Sequence, residues 1–413
     1  MTRWRVVRLD EVAEITAGNP APQDQKDFSA NGYPFVRMQD VGREHHTKSL
    51  SKTTDQLSDI ALQRHRLRLF PRGTLLIPKS GASVNLNHRA LLGIDAYVVS
   101  HLATVIPNTE IIDPEFLYYW SLTYDPRHQA QTTSLPSLPT SLIKAAQIPL
   151  PPLKSQREIA DILSKAEGIV RLRNEAHRKA TSIVPAIFLD LFGDPATNPK
   201  GWRTAPFGEI IARGPTNGLY KHKSAYGSGT PILRIDAFYD GVVSDLSSLK
   251  RLRIESADEA ARFALERDDI VVNRVNSPEY LGKSALIPQL GEQTVFESNM
   301  MRIAVDAQIA LPRFVIALLQ TGAARQHFLS RAKHAINQSS INQQDVKSLP
   351  VILPPLELQA DFVRFSDAAE SIARQQSAAN TRADAAFAAL LASAFVEDMA
   401  GQCARFSSEV AVA

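Results

Sequence analysis

One segment occurs twice in this chain. Pro151-Pro152-Leu153-Lys154-Ser155-Gln156 opens the first copy, and Pro354-Pro355-Leu356-Glu357-Leu358-Gln359 opens the second, 203 residues later. Each hexamer is followed by a long apolar-periodic stretch and preceded by a larger block that also repeats, faintly. A period this long duplicates a whole domain together with its helix, whereas solenoid repeats recur every ~20–50 residues. The expected organisation is a block at 1–150, a helix at 151–195, a second block at 196–350, a second helix at 351–400 and a tail at 401–413. Such a pseudo-twofold build suits gripping an object that itself has two halves.

The two apolar-periodic stretches match slot for slot. Ile159, Ile162, Ala166, Ile169, Ala176, Ala180, Ile183 and Ile187 alternate in steps of three and four, with Arg173 as the one long polar member. The second stretch repeats this as Phe362, Phe365, Ala369, Ile372, Ala379, Ala383, Ala386 and Leu390, with Gln376 in the polar slot. That spacing is the seam of a coiled coil, where a polar residue commonly fixes register. Ser155 and Glu158 have the spacing of a capping box at the first helix start, and Gly193-Asp194-Pro195 marks its end. Pro185 lies inside and should kink it. About 40 residues of helix span roughly 60 Å. Antiparallel pairing of the two helices would place the blocks at opposite ends of a rigid spacer; the alternative is that each helix covers its own block.

The blocks share landmarks and diverge between them. Gly32-Tyr33-Pro34-Phe35-Val36-Arg37 matches Gly229-Thr230-Pro231-Ile232-Leu233-Arg234, and Ile111–Thr123 with Pro114 and Phe116 matches Ile309–Thr321 with Pro312 and Phe314. Trp4 and Trp202 recur as core anchors. Thr74–Ile77, Tyr97–Ile106, Ile270–Val272 and Met300–Val305 read as strands. Phe116–Thr123 and Phe314–Ala324 read as short helices after a proline turn. The fold class is therefore α/β (α+β): two similar mixed α/β domains separated by two long antiparallel helices forming a coiled coil. Recurrence at the scaffold with divergence elsewhere suggests two different binding surfaces on one frame.

The net charge of +3 is too small to argue for nucleic acid alone, but its distribution is uneven. Residues 60–94, 210–235 and 307–344 contain no acid while carrying several Arg and Lys. Folded onto one face, such runs attract phosphates; left apart, they are solvated surface. Arg37 and Arg234 close the matched strands and could serve as structural ion-pair partners or as ligand contacts. Lys79 and Arg274 sit just past the matched Ile-rich strands. The loops that follow hold Ser80, Asn87 and Arg89 in the first block and Asn276 and Lys283 in the second. Lys221 and Lys223 lie in the acid-free run before them. Basic and amide side chains mixed in this way suit phosphate contacts together with base-edge hydrogen bonds.

Two divergent α/β blocks, each followed by a Pro-Pro-Leu-x-x-Gln helix, resemble the specificity subunit of type I restriction–modification enzymes. Leu191-Phe192-Gly193-Asp194-Pro195 before Asn198-Pro199-Lys200-Gly201-Trp202 is similar to one branch of that family. The resemblance covers residues 1–400. It implies target recognition domains at 1–150 and 196–350, each reading one half of a bipartite site in double-stranded DNA. It further implies a helical ruler setting the spacer, two docked modification (methyltransferase) subunits and, through them, restriction (translocase-nuclease) subunits.

Catalytic motifs do not emerge. The chain has no P-loop, no Gly-rich cofactor loop after a strand and no Asn-Pro-Pro-aromatic motif, since Gly18-Asn19-Pro20-Ala21-Pro22 does not match it. One cysteine, Cys403, excludes an internal disulfide. The ten histidines, His45-His46 included, lack metal-ligand spacing. No cofactor or metal is expected, and the chain is expected not to be an enzyme by itself. The N-terminus has no signal-peptide core and no apolar run reaches membrane-spanning length, so the expected location is the cytoplasm with no membrane partner. Competing readings are a coiled-coil scaffold that never touches DNA and a stand-alone DNA methyltransferase or nuclease.

Overall fold

A computed structural model describes residues 4–44, 47–125, 136–243, 246–335 and 338–395; the tail at 401–413 and the His45-His46 pair lie outside the described residues. Contacts divide the chain into two units, Met1–Ala176 with Ser377–Ala413, and His177–Gln376. Each unit therefore takes a globular block together with part of both long helices.

In the first unit a five-stranded sheet runs in the order Ala13–Ala17, Leu102–Pro107, Leu75–Pro78, Ala90–Leu92, Ser49–Leu50. Its pairings are antiparallel except for the last, which is parallel. The β-branched and leucine-rich central strands are buried on both faces, because successive side chains point to opposite sides of a sheet. Leu75, Ile77 and Val105 enter one core with Phe116 and Tyr119. Leu76, Ala90 and Leu102 enter another with Phe35 and Val98. A second sheet, Asp55–Leu57, Phe28–Val36, Ala96–Val98, Leu69–Phe70, closes that other core.

The second unit repeats this plan. Ile211–Asn217, Met300–Val305, Ile270–Asn273, Ser284–Leu286 and Gly241–Val243 follow the same order and the same senses of pairing, with Phe238–Tyr239 added at the edge. Ile270 and Val272 enter one core and Val271 the other. The recurring Gly-x-Pro landmark has a steric cause. In each copy a strand bulges past one partner residue, Leu57 or Leu252. A Cβ on Gly32 would lie 2.1 Å from the Leu57 carbonyl oxygen, and one on Gly229 would lie 2.6 Å from that of Leu252. Both landmark glycines allow this backbone approach.

Three local expectations differ from the structure. Tyr97–Ile106 is two strands, Ala96–Val98 and Leu102–Pro107, because the chain turns between them, Leu102 N–H donating to the Val99 carbonyl at 3.0 Å. Phe314–Ala324 is broken into Pro312–Leu319 and Gly322–Arg331, the Thr321 hydroxyl capping the second helix. The first long helix starts at Leu153, so Ser155 lies inside its first turn and not at a capping position.

The long helices are Leu153–Phe192 and Leu356–Phe395. The first continues through Pro185 and stops at Gly193, whose φ is +76°. The repeated glutamine fastens the start of each. Gln156 is fully buried; its side-chain oxygen accepts from Asp113 N–H (2.8 Å), and its amide donates to the Ile111 and Pro151 carbonyls (3.0 and 2.8 Å). Gln359 does the same with Leu311 N–H (2.9 Å) and the Ile309 and Pro354 carbonyls (3.3 and 2.8 Å). One side chain thus saturates the turn leading into the helix Pro114–Thr123, or Pro312–Leu319, and the backbone ahead of the long helix. An apolar residue could satisfy none of these groups.

Within the first unit the two long helices run antiparallel. Ala160 and Leu163 share a core with Leu391 and Phe395, and the Asn380 amide donates to the Asn174 oxygen at 2.9 Å. Phe395 also meets Phe116, the tilted rings 5.2 Å apart. Within the second unit Phe188 and Phe192 meet Phe362 (5.7 and 5.5 Å) and Phe314 (5.7 and 4.9 Å). The helices therefore pair with each other and cover the blocks at once, where the sequence posed these as alternatives. Serving both neighbours displaces the buried line from the expected seam. Phe362 is buried and Ile159, Ile183 and Gln376 are partly so. Ile162 (54% exposed), Ile169 (54%), Phe365 (52%), Ile372 (47%) and Leu390 (40%) face outward with Arg173. Ala160, Leu163, Ser366 and Leu391 take the interior instead.

A matched carboxylate clasps each block to its helix. Glu167 accepts from the Tyr119 hydroxyl (2.8 Å) and, more weakly, that of Tyr118 (3.5 Å), while Lys48 joins Glu115, Tyr119 and Ser164. Glu370, 203 residues on, instead pairs with Arg313. Burial pushes the Glu167 carboxyl up, outweighing the two hydroxyl donors and Lys48. Stability from this group is then present below its ordinary value of 4.5 and lost as pH rises through its higher folded value.

Two measurements test these contacts. Gln156→Leu and Gln359→Leu should each cost about 2–4 kcal/mol in urea unfolding, since each orphans two carbonyls and an N–H; a loss below about 0.5 kcal/mol would remove the glutamine lock. Glu167→Gln should melt at or above the parent temperature at neutral pH, with the gap closing on acidification, whereas Glu370→Gln should melt lower at neutral pH.

Candidate nucleic-acid interface

Each central strand delivers one cation to the same end of its sheet. Past Leu75–Pro78, Lys79 is pinned on both sides: its N–H donates to the His101 carbonyl (3.0 Å) and its carbonyl accepts from Leu138 N–H (2.7 Å). Past Ile270–Asn273, Arg274 is pinned alike, by the Asn299 carbonyl and Ile341 N–H (2.8 and 2.9 Å). The two positions are structurally equivalent. Lys79 has no ion pair among the described residues. Arg274 donates one hydrogen bond to the Ser298 carbonyl (3.3 Å), and its buried Nε has no acceptor.

A cleft opens in each unit, with unlike linings. In the first, about 460 Å³ is bounded by Arg37, Gln39, Ser83, Leu86, His88 and His101, among others. In the second, about 410 Å³ lies directly beside Arg274, over Met301, with Asn217, Asn342, Gln343, Gln344 and Lys347 around it. Amides and cations around an open concavity can donate to and accept from base edges and draw in phosphates.

The other sequence candidates divide. Lys223 is exposed and carries no ion pair among the described residues. Ser80 bonds His101 Nδ1 at 2.7 Å, and the Asn276 oxygen accepts from Ser277 N–H. Several others are tied up inside their units. Arg37 pairs with Asp55 and lies over the rings of Phe28 and Phe35. Arg89 is 1% exposed and donates to the His88 and Tyr124 carbonyls and to Asn87. Lys221 pairs with Glu259 at 2.8 Å, and Arg234 with Glu297 at 3.6 Å. Lys283 donates to the Ile235 carbonyl (2.6 Å) amid the rings of Phe238, Tyr239 and Tyr280, and burial pushes its amine down. Apart from Asn87 and His88 beside Arg89 and Tyr280 beside Lys283, their partners lie far off in sequence, so charge runs alone could not separate them from free cations. Residues not singled out from sequence are His101, Asn217, Gln343, Gln344 and Lys347; the acid-free run 307–344 ends on two of them.

Among the described residues no cluster of His, Cys, Asp or Glu could hold a metal ion, and no helix is long and apolar enough to cross a membrane. Residues 1–180 match the family model described as type I restriction modification DNA specificity domain. The second unit reproduces the sheet order of the first. The StySPI specificity subunit of Salmonella potsdam is 29% identical over 207 residues, covering 49% of this chain and 44% of that protein. The EcoKI specificity subunit of Escherichia coli is 28% identical over 273 residues, covering 62% and 58%. The chain thus spans about half the length of these curated relatives. In fold it is similar to the S subunit of a type I restriction-modification system from M. genitalium (TM-score 0.56, 13% identity, 95% and 96% of the two chains). It is likewise similar to a chain solved for complex assembly and conformational transition of the type I R-M system (0.58, 17%, 95% and 97%).

Removing one free and one caged cation should separate the two classes. Lys79→Ala should leave the melting temperature unchanged. Lys283→Ala should lower the melting temperature, because it empties a three-ring contact and orphans the Ile235 carbonyl. The reverse pattern would overturn the assignment.

Proposed function

We propose that this chain is the DNA-sequence-reading specificity subunit of a type I restriction-modification complex. On this reading the blocks at 1–150 and 196–350 are target recognition domains, and each contacts one half of a bipartite site in double-stranded DNA. Partner modification subunits then methylate adenine, partner restriction subunits cleave, and this chain does neither. The observation that carries the reading is the equivalent delivery of Lys79 and Arg274 beside sheets whose clefts are lined differently. One frame with two unlike polar surfaces fits a target with two unlike halves. A pure scaffold gives no reason for that divergence.

The helices support the partner side of the proposal. Ile162 and Phe365, and Ile169 and Ile372, are pairs 203 residues apart, and all four lie half-exposed on helix surfaces. Large apolar side chains left outward at repeated positions mark protein contacts. Their occurrence once per copy suits two modification subunits. In the same reading the helices 151–195 and 351–400 set the spacer between half-sites.

The test is adenine-methylation sequencing in a host expressing the chain with its partner subunits. A bipartite motif with unlike halves is expected. Inserting one helical turn into the first long helix should lengthen its spacer and leave both halves intact. Binding by the complex should weaken steeply with added salt, as phosphate contacts require. Salt-insensitive failure to shift any duplex would favour the scaffold, and an unchanged spacer would remove the ruler.

A further inference from the structure

The cleft of the second unit has more chemistry than a cation near DNA requires. Three strand ends converge there. Asn217 ends the first strand opposite Met301, Asn273 ends the central strand opposite Met300, and Arg274 follows at once. Met301 is fully buried and makes an apolar floor, while Asn217, Gln343 and Gln344 stand exposed at the rim. We propose that this cleft reads a guanine in the second half-site, with Arg274 as the specificity-determining residue. The inference rests on the proposed function and names what one part of its DNA surface recognises.

The side chain of Arg274 is built for recognition more than for general attraction. Its backbone is fixed on both sides by hydrogen bonds, so the root of the side chain has little freedom. Its guanidinium is partly buried, forms no ion pair among the described residues and bonds one carbonyl, leaving Nε buried without an acceptor. A guanidinium with no carboxylate partner keeps N–H donors for a ligand that supplies acceptors. Three other arginines of the unit differ in having ion-pair partners: Arg213 with Glu266 and Asp269, Arg234 with Glu297, and Arg251 with Glu292.

Guanine presents two acceptors, O6 and N7, side by side in the major groove, and the guanidinium fork matches them. The rim amides carry a donor and an acceptor each, which matches adenine at a neighbouring pair. Lys347 supplies a second positive charge without directional demand. In the first unit the equivalent position holds Lys79, and the cleft there is lined by Gln39, His88 and His101. The two halves would then read different bases through one fold.

The experiment compares the assembled complex carrying the parent chain, Arg274→Ala, Arg274→Lys and Arg274→Gln. Readouts are the methylated motif on a randomised plasmid library, duplex affinity against salt, and each complex's melting temperature. Arg274→Ala should keep the first half-site, lose preference at one G·C pair of the second, and bind the parent duplex roughly 10- to 100-fold less tightly, as loss of one bidentate pair implies. On a duplex already altered at that pair it should lose nothing. Arg274→Lys keeps the charge without the fork and should lose the same preference; Arg274→Gln should move it towards A·T. An unchanged motif in all three variants overturns the proposal. So does equal weakening on every duplex with a salt slope smaller by about one, the signature of a phosphate contact. A variant that melts much lower is replaced by Gln344→Ala, expected to relax the pair beside the guanine; no relaxation there overturns the proposal too. If the parent complex itself yields no bipartite motif, the proposed function fails before this residue is judged.

Discussion

One buried glutamine per copy organises the rest of the architecture. Gln156 and Gln359 each satisfy one N–H and two carbonyls, joining the turn after the second strand of the main sheet to the first turn of a long helix. Because the helix start is fixed there, its direction relative to its own block is fixed too. Phe362 then falls against Phe188 and Phe192, and Ala160 and Leu163 fall into the core that holds Phe116. A proline pair ahead of the glutamine costs nothing at this position, since the N–H groups that proline lacks would be orphans at a helix start.

The duplication is strict in the frame and loose in the chemistry. Sheet order, bulge position and helix start coincide between units, whereas matched side chains do different work. Glu167 is held by neutral hydroxyls and Glu370 by Arg313. Lys79 and Arg274 share their backbone clamp, but only Arg274 lines the amide cleft of its unit. The constraint behind this is that strand pairing and burial fix the backbone wherever both sheet faces are covered, while loops and strand ends face water and can vary without loss of the core.

Apolar exposure on the helices follows from the same geometry. A helix that packs on a partner helix and a domain together buries a face displaced from the two-stranded seam, and some apolar seam positions are left outward. Ile162, Ile169, Phe365 and Ile372 are the remainder, repeated in each copy.

The chain's periodicities were readable directly: the duplication, both long helices, the strands Ile270–Asn273 and Met300–Val305, and the Gly-x-Pro landmarks all rest on spacing within short windows or on repetition. Local pattern decides these because the helix and strand periods are properties of the backbone itself. Which cations remain free was decided only by tertiary contacts. Lys221 meets Glu259, Arg37 meets Asp55 and Lys283 enters an aromatic cage through chain folding that no local window contains. The seam register was decided likewise: the fold buries Ala160 and leaves the larger, more apolar Ile162 outward. Sequence therefore fixed the repeated scaffold, and the tertiary structure chose which of its many basic and amide groups could meet a ligand, because pairing energies depend on distances that sequence separation does not determine.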